Sequence, residues 1–95
     1  SIPGIVPVPG GKILLCEDDK YTREAVVELM EEMGYSVLIA NNGETAVRLY
    51  QQHHNDISLV LSDMVMTKMS GLPLYKPITE CDPNVIMVIM TVYPL

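Results

Sequence analysis

The chain has 95 residues, the size of one small domain. Hydrophobic residues make up 48% of it, so it can form a globular core rather than a disordered tail. Its 12 acidic and 6 basic residues give a net charge of −6. This charge argues against nucleic acid or an anionic membrane as the main partner and favours a cation or a basic partner.

The two cysteines favour a reducing environment. Cys16 and Cys81 are far apart and lie in or beside apolar segments, so neither a CxxC metal site nor a disulfide framework is predicted. No segment approaches the ~20 apolar residues of a membrane span, and no basic segment followed by an apolar one marks a signal peptide. We expect a cytoplasmic protein segment with no membrane contact.

The first half of the chain predicts an arm, a strand and a helix. Residues 1–11 are rich in proline and glycine and are typical of a linker or arm, so the folded unit is expected to cover residues 12–95. "KILLC" is a short apolar run that suits a buried strand. The following segment, "KYTREAVVELMEEMG", has helical spacing of its apolar residues and a glycine stop signal. Those residues are Ala25, Val26, Leu29, Met30, Met33 and the terminal Gly34.

Strands and helices continue to alternate in the second half. "YSVLIA" predicts a second strand, and Asn41, Asn42 and Gly43 offer a turn and an N-cap for a helix through "GETAVRLYQQHHN". "ISLVLS" predicts the third strand and "NVIMVIM" the fourth. Strands that alternate with helices of this length indicate βαβ units and an α/β fold with a parallel sheet.

The segment "GLPLYKPITECDP", between the third and fourth strands, predicts a weak helix. Pro73 would be harmless in a first helical turn. An interior Pro77 would remove a backbone donor and clash with the preceding turn, at a cost of about 3 kcal/mol. We therefore expect a third helix that is short, kinked or broken.

Polar residues follow three of the predicted strands. Glu17 and Asp18 end the first strand, Asp63 ends the third and Thr91 ends the fourth. Ligands of open parallel sheets bind at the carboxyl ends of strands, so these groups should meet in one pocket if the first and third strands are neighbours. Clustered carboxylates stay ionised most easily around a divalent cation, and Mg²⁺ suits such a site. The alternative is that each acid is simply solvated at a strand end.

The segments "ILLCEDD", "LVLSDMVMTKMSG" and "VIMVIMT" resemble, in order and spacing, the receiver domain of two-component response regulators, from Lys12 to about Tyr93. The resemblance implies a flavodoxin-like, doubly wound parallel sheet. It also implies a phosphoprotein of a phosphorelay, which takes a phosphoryl group from a histidine kinase and switches conformation to control an output. Receivers catalyse their own phosphorylation and dephosphorylation.

The resemblance assigns roles to five residues. Asp63 corresponds to the phosphoacceptor and Thr91 to the switch hydroxyl that moves to the phosphoryl oxygen. Asp18 corresponds to a direct Mg²⁺ ligand, and Glu17 to the second acid of the pair, acting largely through water. The backbone carbonyl of Val65 corresponds to the third protein ligand.

Two features depart from the family pattern. Thr67 stands where the family usually has proline. The family fold also has a fifth strand, which ends in a lysine, and two further helices, whereas this sequence stops at Leu95. We therefore expect a partial receiver with four of the strands, in which either the sequence ends short of the fold or a second chain completes the sheet, as in a dimer.

Partners follow from the resemblance and from the arm. A histidine kinase or phosphotransfer domain is the expected donor, and "LSDMVM" resembles receivers fused to hybrid sensor histidine kinases. A fused output domain is another expectation. The alternative function is a degenerate receiver that binds a protein partner without phosphorylation. An aspartyl-phosphate hydrolase needs a second aspartate two residues after Asp63, and Val65 occupies that position.

Overall fold

The structure is a computed structural model that describes residues 11–63, 68–69, 72–73 and 75–90. The helices are α1 (Lys20–Glu32), α2 (Gly43–His53) and α3 (Tyr75–Cys81). The strands are β1 (Lys12–Cys16), β2 (Ser36–Ala40), β3 (Ile57–Asp63), β4 (Lys68–Met69), β5 (Leu72–Pro73) and β6 (Met87–Met90). Apart from β4 and β5, which follow β3 directly, strands and helices alternate along the chain, as predicted.

Four of the strands form one parallel sheet in the order β2-β1-β3-β6. This order places β1 and β3 side by side at the centre and confirms the doubly wound α/β fold. The short strands β4 and β5 pair antiparallel in a separate ribbon that the sequence pattern did not predict.

Helices cover both faces of the sheet, because β1 is apolar on both sides. Leu14 and Cys16 face a core built with α2 and α3, whereas Ile13 and Leu15 face a core built with α1. All four side chains are fully buried. Burial on both faces explains why β1 is continuously apolar rather than alternating.

The helix boundaries follow from local chemistry. The Asp19 carboxylate accepts a hydrogen bond from the Thr22 N–H at 2.8 Å and caps α1. The Asn42 side chain does the same for α2 through the Thr45 N–H at 2.8 Å, which confirms the predicted N-cap. After α1, Gly34 has φ +93°, a conformation that glycine adopts without strain.

The predicted apolar face of α1 is partly wrong. Met30 is buried, and Val26 and Met33 pack against the core as expected, but Leu29 is 52% exposed and Ala25 is exposed. Val27 packs against the core in their place. The helix is therefore turned slightly from the predicted face, because it lies over β1 and β2 at one side of the sheet.

The third helix is short, as predicted, but its register differs. The helix begins at Tyr75, so Pro77 is its third residue and lies in the first turn, where a backbone N–H has no helical partner. Pro73 lies in β5 instead. The expected interior clash at Pro77 was therefore wrong, and the buried Ile78 that follows packs against the core.

The last strand is shorter than "NVIMVIM" predicts. It begins at Met87, because Asn84 and Val85 make turn hydrogen bonds to Asp82. Among the described residues β6 is an edge strand, and Ile89 is 43% exposed on it. The edge of the described sheet therefore presents an apolar side chain, Ile89, to solvent.

The predicted arm, residues 1–11, lies outside the described residues except for Gly11. This glycine is buried, and its carbonyl accepts a hydrogen bond from the Ser36 N–H at 3.2 Å. In the part of the chain that the structure describes, no helix has the length and apolar character needed to cross a membrane.

Candidate functional site

The register of the central strands brings three carboxylates together. Cys16 pairs with Ser62 between β1 and β3, so the next residues along the two parallel strands, Glu17 and Asp63, lie at the same level. One carboxylate oxygen from each of Glu17, Asp18 and Asp63 lies within 4.8 Å of the others. The prediction that the acids at these two strand ends share a pocket is confirmed.

Burial differs sharply among the three acids. Glu17 is only 1% exposed, Asp63 is half-buried and Asp18 is exposed. Burial raises the pKa of the Glu17 carboxyl, the Asp63 charge raises this pKa further, and hydrogen bonds to Asp63 and Asp18 also favour the protonated form. The Asp19 N–H opposes the rise by donating to the Glu17 carboxylate at 3.3 Å. Ionising the buried Glu17 carboxyl is therefore less favourable in this pocket than in water.

The loop that carries Glu17 and Asp18 is fixed at both ends. The Glu17 N–H donates to the Ala40 carbonyl at 3.0 Å, which ties the loop to the end of β2. Asp19 ties it to α1 as the helix cap, and the hydrogen bond from the Thr22 N–H lowers the pKa of the Asp19 carboxyl. Asp19 is thus committed to the helix rather than to the pocket.

Arg23 is a site neighbour that sequence reasoning missed. Its guanidinium Nη1 donates to the backbone carbonyls of Glu17 at 3.2 Å and Asp18 at 3.4 Å. Because the acceptors are backbone groups, no residue pattern in the sequence indicates the contact. The sequence shows only that Arg23 lies about one helical turn after Asp19, within reach of the acid loop.

Two proposed site residues lie outside the described residues, namely Val65 and Thr91, as does Thr67 at the family's proline position. The pairing of β3 with β6 nevertheless gives information about the sequence position before Thr91. Asp63 pairs with Met90 between β3 and β6, so the carboxyl end of β6 lies beside Asp63. Thr91 is the next residue in the sequence.

The residues that precede the acids on β1 and β3, Cys16 and Ser62, are uncharged. Cys16 and Ser62 are fully buried, and burial raises the pKa of the Cys16 thiol to about 11. The thiol therefore stays protonated near neutral pH and packs as a small apolar group.

The donor set fits a hard divalent cation. Carboxylate oxygens are the ligands that Mg²⁺ prefers, and one or two of them with water suffice to hold it. A cation would also offset the burial and the repulsion from Asp63 that raise the pKa of Glu17. The pocket offers oxygen donors and lacks the histidine or thiolate ligands that would favour zinc among the described residues.

Comparison with known proteins places these features in a family. Residues 13–94 match the response regulator receiver domain family. The chain is 38% identical over 80 residues to the response regulator receiver protein CpdR of Brucella abortus, covering 84% of this chain and 65% of CpdR. The chain thus spans just under two thirds of the length of this relative.

Solved structures show the same fold. A chain of the CheX–CheY–BeF₃–Mg²⁺ complex from Borrelia burgdorferi superposes with a TM-score of 0.77 at 26% identity, covering 87% of this chain and 63% of that one. The receiver domain of the hybrid histidine kinase CckA gives a TM-score of 0.70 at 28% identity, covering 83% and 73%. The chain belongs to the response regulator receiver domain family of two-component signalling.

Proposed function

We propose that the chain is a phosphoacceptor domain of a two-component phosphorelay. In this proposal Asp63 takes a phosphoryl group from a histidine kinase or phosphotransfer domain, and the modified domain controls an output. The supporting observation is the cluster of Glu17, Asp18 and Asp63 at the carboxyl ends of two adjacent parallel strands, with oxygens within 4.8 Å of one another.

Asp63 is suited to act as the nucleophile. It is half-buried at the end of β3, where an ionised carboxylate oxygen can attack phosphorus. The new bond joins this oxygen to phosphorus, and the phosphorus–nitrogen bond of the donor phosphohistidine breaks, with its electron pair left on the imidazole. The product is an acyl phosphate on Asp63.

Glu17 and Asp18 would hold Mg²⁺ together with Asp63, and the Val65 carbonyl is the proposed further ligand. The ion would supply neutralisation of phosphoryl charge, since phosphoryl transfer depends mainly on positioning and charge compensation. Asp18 is exposed and so offers its carboxylate to solvent, whereas Glu17 is buried beneath it. The family resemblance assigns the two acids different roles, with Asp18 as a direct ligand and Glu17 as the second acid, acting largely through water.

The output step uses the end of β6. The proposed switch hydroxyl, Thr91, follows Met90, which pairs with Asp63. A phosphate on Asp63 adds charge and strong acceptors, which can favour one of two arrangements of a nearby hydroxyl and its strand end. We place this module in the cytoplasm, fused to a kinase or an output domain.

Phosphorylation by a small-molecule donor tests the proposal. With acetyl phosphate and Mg²⁺, the full-length chain should gain the mass of one phosphoryl group, and hydroxylamine should remove it because acyl phosphates are labile. Asp63→Asn should show no gain, because its amide is a poor nucleophile. Intact-mass spectrometry measures both results.

Asp56→Asn is the matched control, since Asp56 is an exposed acid in the turn before β3. This variant should be modified like the wild type. A phosphoryl group that persists in Asp63→Asn would show that another residue is the acceptor. A wild-type chain that is not modified and does not bind beryllofluoride with Mg²⁺ would instead favour a phosphorylation-independent interaction module.

A further inference from the structure

Arg23 contacts the acid loop without contacting the acids' side chains in the described hydrogen-bond network. The side chain reaches back from the first turns of α1, and one guanidinium nitrogen, Nη1, donates to two successive backbone carbonyls. The acceptors are Glu17 at 3.2 Å and Asp18 at 3.4 Å. Arg23 is half-buried, and its bond to the Glu17 carbonyl is partly shielded from water, whereas its bond to the Asp18 carbonyl is exposed.

The backbone of this loop has other hydrogen bonds, but they lie on either side of the two carbonyls. The Glu17 N–H is bonded to Ala40, and the Asp19 N–H donates to the Glu17 carboxylate. The Asp19 carbonyl accepts from the Arg23 N–H at 2.9 Å as the first hydrogen bond of α1. The guanidinium is therefore the described group that fixes the peptide units between strand end and helix start.

The positive charge of Arg23 does not explain why an arginine lies beside a proposed metal site. A guanidinium beside a cation site repels a bound metal, so the charge of Arg23 taken alone weakens metal binding. Hydrogen bonds from a charged donor to the carbonyls of two ligating residues act in the opposite direction, since they hold the ligands in place before the metal arrives.

We propose that Arg23 is a positioning residue that holds the Glu17–Asp18 loop in its metal-binding conformation. This inference rests on the proposed function, because it concerns the same acids. Arginine suits the role better than lysine, since its planar guanidinium presents several N–H groups in fixed directions and is always charged. A lysine side chain would keep the positive charge but would lack the N–H groups that the planar guanidinium holds in fixed directions.

Mg²⁺ affinity tests the role, because the two effects of Arg23 have opposite signs. Isothermal titration calorimetry of Mg²⁺ into the full-length chain should show about tenfold weaker binding for Arg23→Gln. This is the lower end of the loss of affinity that is typical when a residue that orients metal ligands is replaced. Arg23→Lys should bind with intermediate affinity. Arg48→Gln is the matched control, because Arg48 is an exposed arginine on α2 and its loss changes the net charge equally.

An Arg23→Gln chain that binds Mg²⁺ as tightly as Arg48→Gln, or more tightly, overturns the proposal. If Arg23→Gln does not fold, Arg23→Lys decides, and wild-type affinity in that variant overturns it. A wild-type chain that binds no Mg²⁺ overturns both this inference and the proposed function, whereas the other outcomes concern Arg23 alone.

A second measurement needs no metal. The Asp19 N–H donates to the Glu17 carboxylate, so its hydrogen exchange reports whether the loop keeps its conformation. In metal-free Arg23→Gln this amide should exchange faster than in the wild type, while core amides of β1 exchange equally. Unchanged Asp19 exchange in a folded Arg23→Gln chain overturns the proposal.

Discussion

At the scale of the residue, Glu17 combines two opposing requirements. It is 1% exposed, and burial and neighbouring acids raise the pKa of its carboxyl. A metal site nevertheless needs this carboxyl ionised. In the proposed function a bound cation would offset the cost of ionising this buried carboxyl, and acids with perturbed pKa values are typical of functional positions.

Replacing Glu17 by Gln should therefore stabilise the metal-free protein. Glutamine removes one of three clustered charges, and its amide can donate to the Asp63 and Asp18 carboxylates while its oxygen still accepts from the Asp19 N–H. We expect the free energy of unfolding at neutral pH to rise by more than the ~0.5 kcal/mol change of an ordinary surface substitution, because the raised pKa of the Glu17 carboxyl means that folding disfavours its ionised form. Urea denaturation without metal measures it.

The same variant should bind Mg²⁺ more weakly, since an anionic ligand is lost. Glu28→Gln is the control, because Glu28 is an exposed acid in the middle of α1 and carries the same charge. It should leave Mg²⁺ affinity nearly unchanged and stability within about 0.5 kcal/mol. A Glu17→Gln protein that is less stable than the wild type without metal would show that the carboxylate is compensated by contacts other than those described above.

At the scale of the element, the strands were easier to predict than the faces of the helices. β1 and β3 are buried runs with an acid at the end, and their boundaries follow from composition. The face of α1 depends on which strands it crosses, and this is a tertiary property, so Leu29 was predicted inside and Val27 was missed. The start of α3 depended on a helix register that Pro73 and Pro77 left ambiguous.

Helix α1 also ends with unfavourable charges. Glu31 and Glu32 lie in its last turn, which has no basic residue, although the helix dipole favours cations there. Glu32→Lys should therefore stabilise the protein by about 0.5 kcal/mol, both through the dipole and by pairing with Glu28 one turn earlier in the favourable orientation. Chemical denaturation monitored by circular dichroism measures the change.

Glu24→Lys serves as its counterpart. Glu24 is exposed near the start of the same helix, four residues after Lys20 and four before Glu28. The substitution changes the net charge equally, but the repulsion it creates with Lys20 cancels the attraction it creates with Glu28. We expect it to be neutral or slightly destabilising. If both variants stabilise the chain to the same extent, the cause is the reduced net negative charge of the molecule rather than the helix end.

At the scale of the whole molecule, the site was predictable because a parallel sheet brings strand ends to one edge. The neighbouring positions of Glu17 and Asp63 followed from β1 lying beside β3. The sequence did not predict that Glu17 is buried and Asp18 exposed. The direction of each side chain after the strand end depends on the hydrogen bonds of the loop, which the sequence pattern does not reveal. Arg23 was missed for the same reason, since its partners are backbone carbonyls.

The acid cluster should also give the protein opposite pH dependences of stability without and with bound Mg²⁺. The pKa of Glu17 is raised in the folded state, so its contribution to stability is full below the ordinary glutamate pKa and is lost as pH rises through the folded value. Asp19 has a lowered pKa and acts in the opposite sense, but its contribution is lost only as pH falls through that lowered value. From mildly acidic to neutral pH, the unfolding midpoint of the metal-free chain should therefore fall.

With Mg²⁺ present the midpoint should instead rise over the same range, because ionised carboxylates bind the ion and the ion binds only the folded site. At a free concentration about 100 times Kd the stabilisation is about 2.7 kcal/mol, equivalent to several degrees for a domain of this size. Thermal unfolding with and without Mg²⁺ across this pH range measures both trends. In Glu17→Gln the metal-free decline should be smaller. A decline of equal size in that variant would assign the pH dependence to the overall negative charge and not to the buried acid.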